Sequence, residues 1–279
     1  MEALIPHAEA VREAFRATKT LIAGGDIDQL ETWCKRLDGP VVVATAHPAA
    51  KDRLGGIEGV TLMPLSFRVG GGINALKTLR DVLLAAYVQG LLTAEERLFV
   101  VEIDESGYGF LTFDMALDES VGKLRKDLEY RVDVRVVEAI LGIASDLARE
   151  GREKNPIGAL FVLGDTERVM KHSRQVVLNP FQGHPPQDRN VTDARTWETV
   201  KEFAQIDGAI VVRDDGVVEA AGRYIEVRDP TDLPSGLGGR HLAAAAVTTE
   251  TKAIAVTVSE TGVVRIFSDG RILLRIGVT

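Results

Sequence analysis

The chain has 279 residues, 45% hydrophobic and 27% charged, which is apolar material for two cores and excludes a disordered chain. Its 33 basic residues against 41 acidic ones give a net charge of −8. Such a surface repels phosphate backbones at long range, which argues against nonspecific nucleic-acid binding.

Cys34 is the only cysteine, so an intrachain disulfide and zinc-finger spacing are both excluded. The opening Met-Glu-Ala-Leu-Ile-Pro has no basic segment followed by an apolar core, so no secretory signal is expected. The longest apolar segment, Asp81 to Ala94, is broken by Gln89 and Gly90 and is too short to span a bilayer. The expectation is a cytoplasmic protein without a membrane partner.

Residues 1–118 read as helices alternating with buried strands. Apolar spacing predicts a helix over Ala8 to Ala23 and a second over Asp26 to Leu37, with Asp26 as its N-cap. Pro40-Val-Val-Val-Ala-Thr45 is a short apolar run suited to a buried parallel strand, and Val60 to Leu65 is the next. Gly70-Gly-Gly72 leads into a helix from Ile73 to Gln89, and Arg97 to Ile103 is a further strand. Alternating elements of this kind imply a three-layer α/β domain with a mainly parallel sheet. The triple glycine reads either as a turn or as an anion site, although it lacks both Gly-x-Gly-x-x-Gly spacing and the Lys-Ser/Thr of a P-loop. The order of elements, with a strand ending in Ala44-Thr45, a helix, a short strand, a long helix and a strand near Val100, is similar to the C-terminal α/β domain of pyruvate kinase.

Phe113 to Leu124 is polar and acidic and is the expected linker, giving domains at 1–118 and 119–279. Beyond it, Val136, Ile140, Ile143 and Leu147 mark one face of a helix over Val132 to Glu150. Pro156 to Leu163 reads as a buried strand, Thr166 to Gln187 as mixed and loop-rich, and Asp193 to Ala204 as a helix capped by Asp193. Ala209 to Val212 and Gly216 to Ala220 flank the hairpin signal Asp214-Asp215-Gly216. Lys252 to Val258, Val263 to Phe267 and Arg271 to Ile276 are three more strands with turns between them. The second domain is therefore expected to hold a mixed β-sheet surrounded by helices.

Three clusters in this half can carry chemistry. Asp207-Gly208-Ala209 puts a carboxylate at a strand entrance, where it can hold a divalent cation, though Asp-Gly is also an ordinary turn. Gly236-Leu-Gly-Gly-Arg-His241 runs into an alanine-rich helix. Exposed amides, the helix dipole and Arg240 there form a phosphate site or, equally, a glycine turn with a surface arginine. Ser259-Glu260 reads as a polar hairpin or as groups facing a shared cleft.

Taken in order, Asp207-Gly-Ala, Arg240-His241 at a glycine-rich helix start, and Ser259-Glu260 before Thr261-Gly262 resemble the diadenylate cyclase (DAC) domain. The resemblance runs from about Arg131 to the C-terminus. Gly158-Ala-Leu-Phe-Val162 is similar to that family's first core strand, and the two-domain arrangement looks like its archaeal group. The sequence departs from many bacterial members at Ile206, where they have His. It departs again at Gly239-Arg-His-Leu242, where they often have Gly-Thr-Arg-His-Arg, and its acidic turn is one residue shorter.

The resemblance implies condensation of two ATP into cyclic di-AMP, releasing two pyrophosphates, with Mn²⁺ or Mg²⁺ as cofactor. Asp207 would hold the metal, and Arg240 and His241 the β- and γ-phosphates. Gly238 and Gly239 would supply the helix start, and Ser259 and Glu260 phosphate and metal contacts. Gly208 and Ala209 would let the adenosine lie on the strand, and Tyr224 would wall the adenine. One site serves one ATP, so a homo-oligomer with face-to-face DAC domains is implied. The competing expectation is a nucleotide-binding sensor of the same fold without turnover. A kinase built on the first half is disfavoured, because no pyruvate kinase barrel is present.

Overall fold

The computed structural model describes residues 2–65, 75–104, 107–118, 128, 130–151, 157–226 and 238–277. It divides into two compact units, residues 1–122 and 123–278. The triple glycine at 70–72 and Gly236 lie outside the described residues.

The first unit is a five-stranded sheet in the order β3-β2-β1-β4-β5. β1 (Lys19–Gly24), β2 (Val41–Thr45), β3 (Val60–Pro64) and β4 (Arg97–Asp104) are parallel, and β5 (Gly107–Asp114) returns antiparallel on β4. One face of the sheet buries Ile22, Val41, Val43, Phe99 and Val101. These pack with Ile5 and Ala8 of α1 (Ile5–Phe15), Trp33 of α2 (Ile27–Arg36) and Leu54 of α3 (Ala50–Leu54). Asp26 caps α2, accepting from the N–H groups of Asp28 and Gln29 at 3.0 and 3.1 Å. A further helix, α4, covers Ala75–Val88.

Two expectations for this unit are corrected. The helix over Ala8 to Ala23 ends at Arg16, which adopts a left-handed φ of 55°, and its second half is β1. Leu21, Ile22 and Ala23 are all fully buried, and a short run buried on both faces has the same apolar signature in a strand as in a helix. The expected linker begins too early, because Phe113 and Asp114 still pair with β4 and Met115–Leu117 form a 3₁₀ turn.

The second unit is a seven-stranded mixed sheet in the order β12-β11-β10-β6-β8-β9-β7. β6 (Ala159–Leu163) and β8 (Ala209–Val212) are parallel. The other strands run antiparallel to their neighbours: β7 (Ser173–Gln175), β9 (Val218–Ile225), β10 (Ile254–Val258), β11 (Val263–Ser268) and β12 (Arg271–Gly277). Side chains alternate across the sheet. Leu160, Val162, Ala209, Val211, Ala255 and Phe267 therefore share one face, covered by Ala244, Ala245 and Val247 of α8 (Gly239–Glu250). The alanines suit this place twice, being strong helix formers and small enough to lay the helix close to the sheet. α5 (Val134–Glu150) carries the other long amphipathic stripe, with Val136, Ile140, Ile143 and Leu147 buried. Two short helices, α6 (Thr166–Lys171) and α7 (Trp197–Phe203), complete the unit.

Candidate functional site

The sheet register brings several strand ends of the second unit to one edge. β6 and β8 are parallel with Phe161 opposite Ile210, so Gly158 and Asp207 precede the two strands at the same level. β10 is antiparallel to β6 with Val258 opposite Ala159, so Ser259 leaves the sheet beside Gly158. Ala209 pairs with Arg223, which places Tyr224 on the other side of Asp207. At ~4.8 Å per strand, Ser259, Gly158, Asp207 and Tyr224 span roughly 15 Å of one edge.

Asp207 is exposed, and its carboxylate makes no hydrogen bond or ion pair among the described residues. Next to it, Gly208 has φ +113°. A Cβ there would lie 2.7 Å from the Arg223 nitrogen and 2.7 Å from the Gly222 carbonyl carbon. The expected role of Gly208 is thus corrected on that side: its missing side chain makes room for the β9 backbone. Ala209 is fully buried in the core, leaving only its backbone for a ligand. Gly208→Ala is expected to cost about 3 kcal/mol of stability, from the forbidden φ and the clash with backbone together. Urea unfolding checks this, and a wild-type midpoint would show that the β8–β9 contact yields easily.

The N-terminus of α8 supplies the second group of residues. Gly238 is its N-cap, with φ −77° and ψ 177° and no side-chain cap. A Cβ added at Gly238 or Gly239 would meet nothing within 4 Å among the described residues, which leave the first turn open. The first amides of a helix have no intrahelical acceptor and carry the positive end of its dipole. Arg240 folds back over Gly158, where a Cβ would stand 2.4 Å from its Nη1. Among the described residues its ion-pair partner is Glu260, at 4.0 Å and mostly exposed.

His241 differs from expectation. Its ring is 7% exposed, lies 6.2 Å from the Phe267 ring, and its Nε2 is 3.0 Å from Nη1 of Arg265. Burial first, then the charges of Arg265 and Arg240, hold the imidazole below its ordinary pKa, so it is neutral at pH 7. Nε2 is committed to Arg265 and is not free for a phosphate oxygen. Arg265 was not among the residues expected from sequence. Its signal was a lone cation inside the apolar run Val263-Val-Arg-Ile-Phe267.

Ser259 is occupied by its turn: its hydroxyl lies 2.9 Å from that of Thr261 and accepts from the Val263 N–H at 3.1 Å. Tyr224 is 51% exposed, and the Arg174 guanidinium sits 4.9 Å from its ring centre. A cavity of ≈ 410 Å³ lies elsewhere on the sheet, among Asn179, Phe181, Arg189, Glu219 and Arg223. Its arginines are engaged by backbone, Arg223 donating to the carbonyls of Met170 and Ser173 and Arg189 to those of His184 and Val218.

Among the described residues, no group of three His, Cys, Asp or Glu side chains could hold a metal. A single exposed carboxylate on the sheet edge that also carries an uncapped helix start fits a different mode. Small divalent cations are often held by one carboxylate together with substrate phosphates and water. No helix among the described residues is long and apolar enough to cross a membrane.

Residues 146–272 match the family described as DAC, DisA bacterial checkpoint controller nucleotide-binding. A protein named diadenylate cyclase from Methanocaldococcus jannaschii is 45% identical over 140 residues, covering 50% of this chain and 44% of its own. Another of that name, from Haloferax volcanii, is 38% identical over 148 residues, covering 52% and 54%. The chain spans about half the length of these curated relatives. Among solved structures, a hypothetical membrane spanning protein from Bacillus cereus aligns over 57% of this chain and 72% of its own, at 19% identity and a TM-score of 0.43.

Proposed function

We propose, taking residues 146–272 as a DAC domain, that this chain condenses two ATP into cyclic di-AMP, releasing two pyrophosphates. The observation that carries this reading is an Asp207 carboxylate without a partner among the described residues, on the same sheet edge as Arg240 and the uncapped start of α8. In the reaction, each ATP offers its 3′-hydroxyl to the α-phosphorus of the other. Two P–O bonds form, two pyrophosphates depart and two hydroxyl protons are lost. Such substitution depends on positioning and charge neutralisation more than on covalent chemistry.

Asp207 would hold Mn²⁺ or Mg²⁺ beside the α-phosphate. A bound divalent cation supplies charge neutralisation there and makes the 3′-hydroxyl easier to deprotonate. Arg240 would swing from Gly158 and Glu260 onto the terminal phosphates, which also meet the first amides of α8. Tyr224 would wall the adenine. Glu260 sits where it can release or recapture Arg240. The first unit, similar to a pyruvate kinase C-terminal domain in its order of elements, would regulate or assemble the enzyme. A sensor without turnover is the second reading, favoured by the missing threonine and second arginine around Gly239-Arg-His-Leu242.

One site holds one ATP, so catalysis needs two DAC domains face to face. Specific activity is therefore expected to fall as the chain is diluted below the dissociation constant of its oligomer, in step with loss of oligomer in sedimentation runs. Constant specific activity in samples shown to be monomeric would contradict the paired-domain reading.

A further inference from the structure

We propose that Arg265 is a positioning residue of the α8 anion site: from β11 it fixes the His241 ring as the Nδ1-protonated form and sets a second guanidinium beneath the helix start. The first half stands on geometry alone, and the second rests on the nucleotide-binding reading above.

The register places Arg265 opposite Thr257 of β10 and Arg275 of β12, so all three side chains leave the same face of the sheet as Phe267. This is the face that α8 covers. Arg265 is half-buried there, and Thr257 is fully buried with a hydroxyl that finds no partner among the described residues. Two arginines directly opposite each other on neighbouring strands repel. Among the described residues, neither has a carboxylate within ion-pair distance. Arg275 is exposed, so water screens part of this repulsion, and a bound anion would offset the rest.

The hydrogen bond to His241 has only one chemical reading. A guanidinium in a protein stays protonated and has no acceptor, so its Nη1–H must donate and Nε2 must present a lone pair. A neutral imidazole with a free Nε2 carries its proton on Nδ1. A charged imidazole would face Arg240 on α8 and Arg265 on β11, with Arg275 of β12 opposite Arg265. The other elements packed against α8 offer little to offset them: β6 and β10 hold no titratable residue, and β9 holds Glu219 paired with Arg189 and Arg223 bound to carbonyls. The resemblance puts a second arginine at Leu242, and Arg265 brings that missing cation from the sheet.

The chain has five histidines, few enough for each ring to be followed by ¹H–¹⁵N NMR. His241 is identified by the signal that disappears in His241→Gln. The expected result for the full chain is an Nδ1-protonated His241 at pH 7 that takes up its second proton below the ordinary histidine range. In Arg265→Met the ring should titrate nearer its ordinary value and exchange between tautomers, while Arg265→Lys should keep it largely neutral. Affinity for a non-reactive ATP analogue should drop about tenfold in Arg265→Met and less in Arg265→Lys. A wild-type ring that is protonated on Nε2, or that titrates like a free histidine, overturns the proposal without any variant having to fold. So does an Arg265→Met protein whose ring and analogue affinity are both unchanged. A fixed Nδ1 tautomer in a chain that binds no analogue would leave the positioning role standing and count against nucleotide binding itself.

Discussion

Asp207→Asn is expected to abolish cyclic di-AMP formation, by at least ~10²–10³-fold, in a protein that folds as well as its parent. The carboxylate is exposed and has no partner among the described residues, so no structural contact is lost with its charge. A surface substitution of this kind changes stability by only about 0.5 kcal/mol or less. What changes is the ability to hold a hard cation, because a neutral amide oxygen is a far poorer ligand than a carboxylate. Thermal unfolding and chromatography of the reaction products measure the two halves of this statement. A well-folded variant with near-parental turnover would remove Asp207 from the mechanism.

Arg240→Ala carries the second large effect. The side chain rests on Gly158, and among the described residues its one ion pair is a 4.0 Å contact with an exposed Glu260, an attraction that water and salt screen strongly. Arg240 can therefore leave its resting place at little cost when a phosphate arrives. Its removal should weaken ATP binding and turnover together by roughly 2–4 kcal/mol, the range for losing a charged partner at a desolvated contact. Gly158→Ala gives a milder version of the same result. The new methyl would collide with the tip of Arg240, a flexible group, so the fold survives while the guanidinium is displaced. Calorimetric titration with a non-reactive ATP analogue reads both variants. Parental affinity in Arg240→Ala would place the phosphates elsewhere.

Much of the second unit was legible because its elements are punctuated. Asp193 caps the turn before α7, Asp215-Gly216 makes the β8–β9 hairpin, and Thr261-Gly262 and Asp269-Gly270 separate the last three strands. Asp207, Arg240 and the glycines before α8 were legible through their spacing and local chemistry. What each residue touches was not. Gly208 looked like an opening for a ligand, yet β9 fills the space beside it. Ser259 looked like a phosphate ligand, yet its hydroxyl serves its own turn. His241 and Arg265 are 24 residues apart and meet only because α8 lies on β11, a long-range contact that no local pattern encodes. In the first unit, β1 was hidden because Leu21-Ile22-Ala23 continues the helical spacing of α1 without interruption, and the break at Arg16 is a backbone event with no glycine to announce it.

Incubating the full chain with ATP and Mn²⁺ or Mg²⁺, and separating the products by chromatography with mass detection, tests the central claim directly. The account predicts cyclic di-AMP with two pyrophosphates for each molecule formed, and none in the Asp207→Asn control. A chain that binds ATP and self-associates, yet forms no cyclic dinucleotide with either metal at any concentration, would contradict it and leave the nucleotide-sensor reading in its place.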